Sequence, residues 1–226
     1  MIDDIRKNSI KEGLSSSRLP TMSAEMKKSL IGSADFLGFN YYSSRLVTPR
    51  IDLGVKDLYT ESIYYDDIGL DASVDPSWKR AKSDWLFSVP DGLREVLKWI
   101  KVNYNNIPVY ITENGWSDDG QMEDNDRIEY VTDHLIAVSK AINEDGCNVI
   151  GYTVWSIIDN FEWLMGYTEK FGIYAVNMTS PTKERTPKKS VAFIKDVIDK
   201  RMVSAGSKLG SSIILLSVFC ALWLSL

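Results

Sequence analysis

The chain has 226 residues, enough for one globular domain with a sizeable core. It is 44% hydrophobic and 25% charged, which excludes wholesale disorder, and its net charge of −5 argues against nucleic acid as a partner. One histidine, His134, and two cysteines, Cys147 and Cys220, leave too little for a disulfide framework or a His/Cys metal centre. No cofactor or metal is therefore expected, and any acid–base chemistry falls to carboxylates.

Residues 1–22 read as polar and irregular, because Gly13, three serines and Pro20 break a helix. Residues 1–7 lack the apolar run of a signal peptide. A short helix is predicted over 21–29, capped by Ser23 and ended by Gly32. Residues 35–42 form a nearly continuous apolar and aromatic run, the pattern of a strand buried on both faces of a parallel sheet. Residues 43–88 show no clear periodicity and read as a long loop of the functional kind.

A helix is predicted over 90–104, with Leu93, Val96, Leu97 and Ile100 as its apolar stripe. A strand over 107–112 follows, ended by Glu113-Asn114-Gly115. The next helix, 124–143, carries Ile128, Val131, Leu135, Val138 and Ile142 on one face. A buried strand over 149–158, an aromatic loop over 160–174 and a helix over 187–201 complete the folded part. Strands alternating with helices predict an α/β fold with a parallel sheet. Three strands suit a small open sheet or part of a (β/α) barrel, since closure needs eight.

In such folds chemistry gathers at the C-terminal ends of strands. Asn40, Tyr41 and Tyr42 end the first strand, Glu113 the second, and Trp155, Glu162 and Trp163 follow the third. Carboxylates accept hydrogen bonds from sugar hydroxyls, indoles stack on the C–H face of a sugar ring, and a tyrosine can hold a nucleophilic carboxylate. Each residue has a plainer reading. Glu113 before Asn-Gly fits turn chemistry, Trp155 fits a core, His134 fits a helix interior, and Cys147 fits a buried free thiol.

Three runs, Asp35-Phe36-Leu37-Gly38-Phe39-Asn40-Tyr41-Tyr42, Tyr110-Ile111-Thr112-Glu113-Asn114-Gly115 and Trp155-Ser156-Ile157-Ile158-Asp159-Asn160-Phe161-Glu162-Trp163, resemble ordered signatures of glycoside hydrolase family 1. Ser17-Arg18-Leu19-Pro20, Phe171-Gly172-Ile173-Tyr174 and Arg185-Thr186-Pro187-Lys188-Lys189-Ser190 are similar to further family segments, and Asp75-Pro76-Ser77-Trp78 resembles insect members. The resemblance implies a retaining β-glycosidase with a β-glycoside substrate. It also implies that residues 1–203 form the last three β/α units of an eightfold TIM barrel. By resemblance Glu113 is the nucleophile, Tyr42 and Asn40 orient it, and Trp155, Glu162, Trp163 and Phe171 bind the glycone. The family's acid/base glutamate lies in an Asn-Glu-Pro motif that does not occur in this sequence. The alternative expectation is therefore a catalytically dead sugar-binding or membrane-tethered remnant.

The C-terminus differs in kind. No charge follows Lys208, and residues 213–226 are apolar except for Ser217 and Ser225. That run is shorter than the ~20 residues of a spanning helix. Preceded by the small residues Ser204, Ala205, Gly206 and Ser207, it reads as a membrane-anchoring signal over 204–226, of GPI type, with a short membrane helix as the alternative. Either implies the secretory pathway and the extracellular face of a membrane. Asn177-Met178-Thr179 is a candidate N-glycosylation site on that route.

Overall fold

The structure, a computed structural model, describes residues 2–49, 67 and 69–203. The anchoring signal expected over 204–226 lies outside the described residues. In chain order the elements are α1 (Ile2–Lys11), α2 (Ala24–Leu30), β1 (Leu37–Asn40), β2 (Leu46–Pro49), β3 (Leu70–Ser73), α3 (Pro90–Asn103), β4 (Val109–Gly115), α4 (Asn125–Asn143), β5 (Val149–Trp155), a 3-10 turn (Trp163–Met165), β6 (Tyr174–Val176), β7 (Arg185–Pro187) and α5 (Lys189–Lys200). The described residues fall into two compact units, one from residues 2–34, 45–49, 67 and 69–77, the other from residues 35–44 and 78–203.

The first unit corrects the expectation of an irregular start. Residues 2–11 are helical, with Asp3 and Asp4 in the first turn and Lys11 in the last, which complements the helix dipole. The breakers act only afterwards, beginning at Gly13 with φ +83°. The guanidinium of Arg18 forks onto Asp67 at 2.8 and 3.0 Å and reaches Glu12 at 2.8 Å, tying α1 to the residues before β3. Ser23 caps α2 as expected, accepting from the Met26 amide at 3.1 Å. The stretch expected to be one long loop contains the antiparallel pair β2–β3.

The second unit holds a three-stranded parallel sheet in the order β1-β4-β5. Leu93, Leu97 and Ile100 of α3, Val131, Leu135 and Val138 of α4, and Ile194 and Val197 of α5 share one core with Val109, Ile111, Val149 and Tyr152 of the sheet. Burying that stripe anchors each helix more firmly than its propensity could. The strands are not buried on both faces. Val109 and Ile111 are buried, whereas Tyr110 and Thr112 between and beside them are only half-buried, and on β1 Gly38 and Asn40 are exposed. Alternation of this kind marks a sheet covered on one face. The sheet is open, with the layout of consecutive β/α units rather than a closed barrel.

The antiparallel pair β6–β7 fills the stretch between the expected loop and the expected helix, taking in Tyr174 and Pro187 at its ends, and α5 begins at Lys189 rather than 187. The buried stripe of α4 is wider than expected. It includes Arg127, Tyr130 and His134, while Ile128 and Ile142 are half-buried. Cys147 is a buried free thiol. No helix among the described residues is long and apolar enough to cross a membrane.

Candidate active site

Glu113 is not in a turn. Asn114 and Gly115 continue β4 without positive φ, which overturns the turn reading. Against β5, Ile111 pairs with Tyr152 and Asn114 with Val154, so Thr112 and Glu113 together oppose Thr153 alone. This bulge re-aims the strand. Both residues of the bulge are half-buried, between the buried Ile111 and Asn114. Across the other edge, Asn40 is the register partner of Glu113.

The Tyr42 hydroxyl donates to Glu113 Oε2 at 2.6 Å. Burial, and then the hydrogen bond and charge of Glu113, push the Tyr42 pKa far up, so the phenol stays a donor at any physiological pH. Tyr42 is itself held at both ends. Its ring meets Phe171 and Trp85 edge-on at 6.1 and 5.6 Å, and its carbonyl accepts from the Tyr130 hydroxyl at 2.6 Å. Beneath it lies a buried polar layer. Asn114 Nδ2 donates to the Tyr41 carbonyl at 2.8 Å and to Tyr130 at 3.0 Å, and the Tyr152 hydroxyl donates to Asn114 Oδ1.

Trp155 ends β5, is half-buried against the core, and joins Ser156 through a cis peptide bond. Glu162 is buried, and burial raises its pKa. Hydrogen bonds from Trp155 and Asn160 oppose that rise, and the negative charges of Glu169 and Glu113 add to it. Glu162 Oε1 is buried with no hydrogen-bond partner among the described residues. Such an orphaned acceptor is costly unless a donor reaches it, and a ligand hydroxyl is a donor.

The structure thus brings together Glu113, Tyr42, Phe171, Trp155 and Glu162. Two expected members stand apart. The side chain of Asn40 is exposed and accepts from Thr112 Oγ1 at 2.5 Å rather than orienting Glu113. Trp163 is 86% exposed, at the head of the 3-10 turn, where nothing described holds its ring. Trp85 and the Asn114–Tyr130–Tyr152 layer escaped the sequence reading. Tyr130 lies one position off the predicted stripe, and its i+4 neighbour His134 was the available signal of a second, polar buried row. Among the described residues, no cluster of His, Cys, Asp and Glu fits a metal ion. A cavity of about 530 Å³ near Arg80, Asp119 and Asp126 is lined by neither Glu113 nor Glu162. Asn177 is exposed on the β6–β7 turn, its Oδ1 accepting from Thr179 Oγ1 at 2.8 Å.

Known proteins resemble this chain over most of its length. Myrosinase 1 of Brevicoryne brassicae is 41% identical over 195 residues, covering 86% of this chain and 40% of that protein. The lactase-like protein of Mus musculus is 38% identical over 201 residues, covering 88% of this chain and 35% of that protein. Among solved structures, aphid myrosinase superposes with a TM-score of 0.79 at 40% identity, over 87% of this chain and 41% of that one. A rice β-glucosidase mutant in covalent complex with glucose superposes with a TM-score of 0.70 at 35% identity, over 78% of this chain and 39% of that one. The chain therefore spans well under half the length of the relatives it matches. The profile of glycosyl hydrolase family 1 matches residues 2–203, and the chain belongs to that family.

Proposed function

We propose that this chain carries the nucleophile side of a retaining β-glycosidase site. The observation that supports this reading is Glu113 at a strand bulge, held by a protonated Tyr42, within electrostatic reach of a second carboxylate, Glu162, whose Oε1 has no partner among the described residues. A Glu113 oxygen attacks the anomeric carbon, the bond to the aglycone oxygen breaks, and a glycosyl ester forms. Water then cleaves that ester and frees the sugar. Trp155 and Phe171 provide apolar surface beside the ring, Glu162 takes glycone hydroxyls, and Trp85 stands as an aromatic wall next to Tyr42. The covalent glucose complex of the rice relative supports the same course here.

Retention also needs an acid/base carboxyl about 5–5.5 Å from the nucleophile. The 226-residue chain on its own, which contains no Asn-Glu-Pro motif, is expected to show no useful turnover, because general-acid help is worth ~10²–10⁴-fold. The second reading, a dead sugar-binding remnant, rests on that same absence. Release of an activated aryl leaving group, which departs without a proton from a general acid, compared with Glu113→Gln, tests the assignment. Release lost in the variant with sugar binding retained supports the nucleophile reading, and equal, measurable release in both rejects it.

We further propose that residues 204–226 act as a GPI-attachment signal, placing residues 1–203 on the extracellular face of a membrane with Asn177 open to glycosylation. The small-residue cluster and uncharged apolar end support this. Phosphatidylinositol-specific phospholipase C applied to intact membranes is expected to release the protein. Retention with an intact C-terminal epitope would assign a membrane helix instead.

A further inference from the structure

The segment Arg185-Thr186-Pro187-Lys188-Lys189-Ser190 plays no part in the site as described, yet it supplies a fully buried ammonium. The Lys188 side chain is 0% exposed, and its Nζ lies 3.3 Å from Asp118 Oδ1 and 3.4 Å from Asp159 Oδ1. Asp118 follows Glu113 on the exit from β4, and Asp159 lies between Trp155 and Glu162 on the exit from β5. We propose that Lys188 is a positioning residue that couples these two exits and so holds Glu113 and Glu162 in register; this rests on the reading of Glu113 as the nucleophile.

The surrounding contacts make the coupling specific. Arg127, also fully buried, places Nη2 2.5 Å from Asp118 Oδ2 and Nη1 on Asp124. The same Nη2 donates to the Trp116 carbonyl at 3.1 Å and the Lys170 carbonyl at 2.9 Å, touching the β4 exit and the β5 exit at once. Backbone bonds join Asp118 and Lys170 in both directions, at 3.0 and 3.1 Å. Asp159 Oδ1 accepts from the Gly172 amide at 3.0 Å, beside Phe171 of the site. Asp124 caps α5 from outside, accepting from the Ser190 amide at 2.8 Å and its hydroxyl at 2.6 Å. Lys188, at the N-cap position of α5, is thereby fixed at its root.

A buried network of three carboxylates and two cations is a poor source of stability, because desolvation offsets the attraction and an apolar cluster would serve as well. Burial even raises the Asp118 pKa against the pull of both cations. What charges provide that apolar groups do not is directional placement. Here the directions run between the two segments that carry the nucleophile and the glycone acceptor.

The test compares Lys188→Met with Val138→Ala, a core truncation distant in role, in the native protein well below both unfolding temperatures. Lys188→Met is expected to lower kcat ~10²-fold with KM little changed, as displaced catalytic groups do. Val138→Ala is expected to lose thermal stability but keep its kcat. Asp159→Asn, which still offers an acceptor to Gly172, is expected to lose less, and it carries the test if Lys188→Met does not fold. A kcat preserved in Lys188→Met, or reduced no more than in Val138→Ala, overturns the proposal. Where turnover is too low to rank the variants, as expected of the 226-residue chain, amide exchange decides the coupling, and a fluoroglycoside label on a residue other than Glu113 sinks the nucleophile reading instead. Faster exchange confined to Asp118, Lys170 and Gly172 in Lys188→Met supports it, and unchanged or uniformly faster exchange overturns it.

Discussion

A carboxylate that attacks carbon must point in one direction, and the Tyr42 hydroxyl fixes that direction for Glu113. Its bond to Glu113 goes to a charged acceptor, worth about 1.5–3 kcal/mol. Tyr42→Phe is therefore expected to lower kcat/KM by roughly one to two orders of magnitude, against complete loss in Glu113→Gln. Steady-state kinetics of the two variants check the ranking. His134 shows the same economy of protons in the core. Its Nδ1–H donates to the Tyr130 carbonyl at 2.7 Å, its Nε2 has no described partner, and burial lowers its pKa to about 4. An unfolded histidine titrates near 6.5. Above that value both states are neutral and the stability is complete. As pH falls from 6.5 towards 4, only the unfolded state takes up the proton, and about 3 kcal/mol is lost. Urea midpoints at pH 7 and pH 4.5 should converge in His134→Gln relative to the unsubstituted protein. Identical pH slopes would contradict the assignment.

Elements with a buried stripe were legible, and elements without one were not. Helices α3, α4 and α5 and strands β4 and β5 announce themselves through apolar periodicity, because each buries a face in the one core. Strands β2 and β7 are exposed throughout, so nothing in their sequence alternates, and both hairpins escaped detection. Helix α1 escaped because its residues are polar and its breakers come late. In the site, Glu113 and Tyr42 were legible from family motifs, but the Asn114–Tyr130–Tyr152 layer joins three elements that no local pattern links. Exposure of Asn40 and Trp163 was equally invisible, since a motif records residue type and not direction. The glycine of the Glu113-Asn114-Gly115 run also has a reason that only packing reveals. A Cβ on Gly115 would stand 1.9 Å from the Trp155 carbonyl oxygen, and backbone cannot give way. Gly115→Ala should therefore lower Tm and disturb the end of β5. On β1, Gly38→Ala meets nothing nearer than 3.5 Å and should change Tm little. Equal melting temperatures in the two variants would count against this account.

At the scale of the molecule, a parallel sheet covered on one face brings its strand ends to a common rim, and that rim carries Glu113, Tyr42, Trp155 and Glu162. The match to family 1 relatives runs through 86–88% of this chain and only 35–40% of theirs. The defining claim for Glu113 is covalent. A 2-deoxy-2-fluoro β-glucoside with a good leaving group slows hydrolysis of the glycosyl ester and lets it accumulate on the native protein. Peptide mapping after labelling should find one sugar, on Glu113. A label on any other residue, or active hydrolysis of β-glucosides with no label at Glu113, would contradict the account.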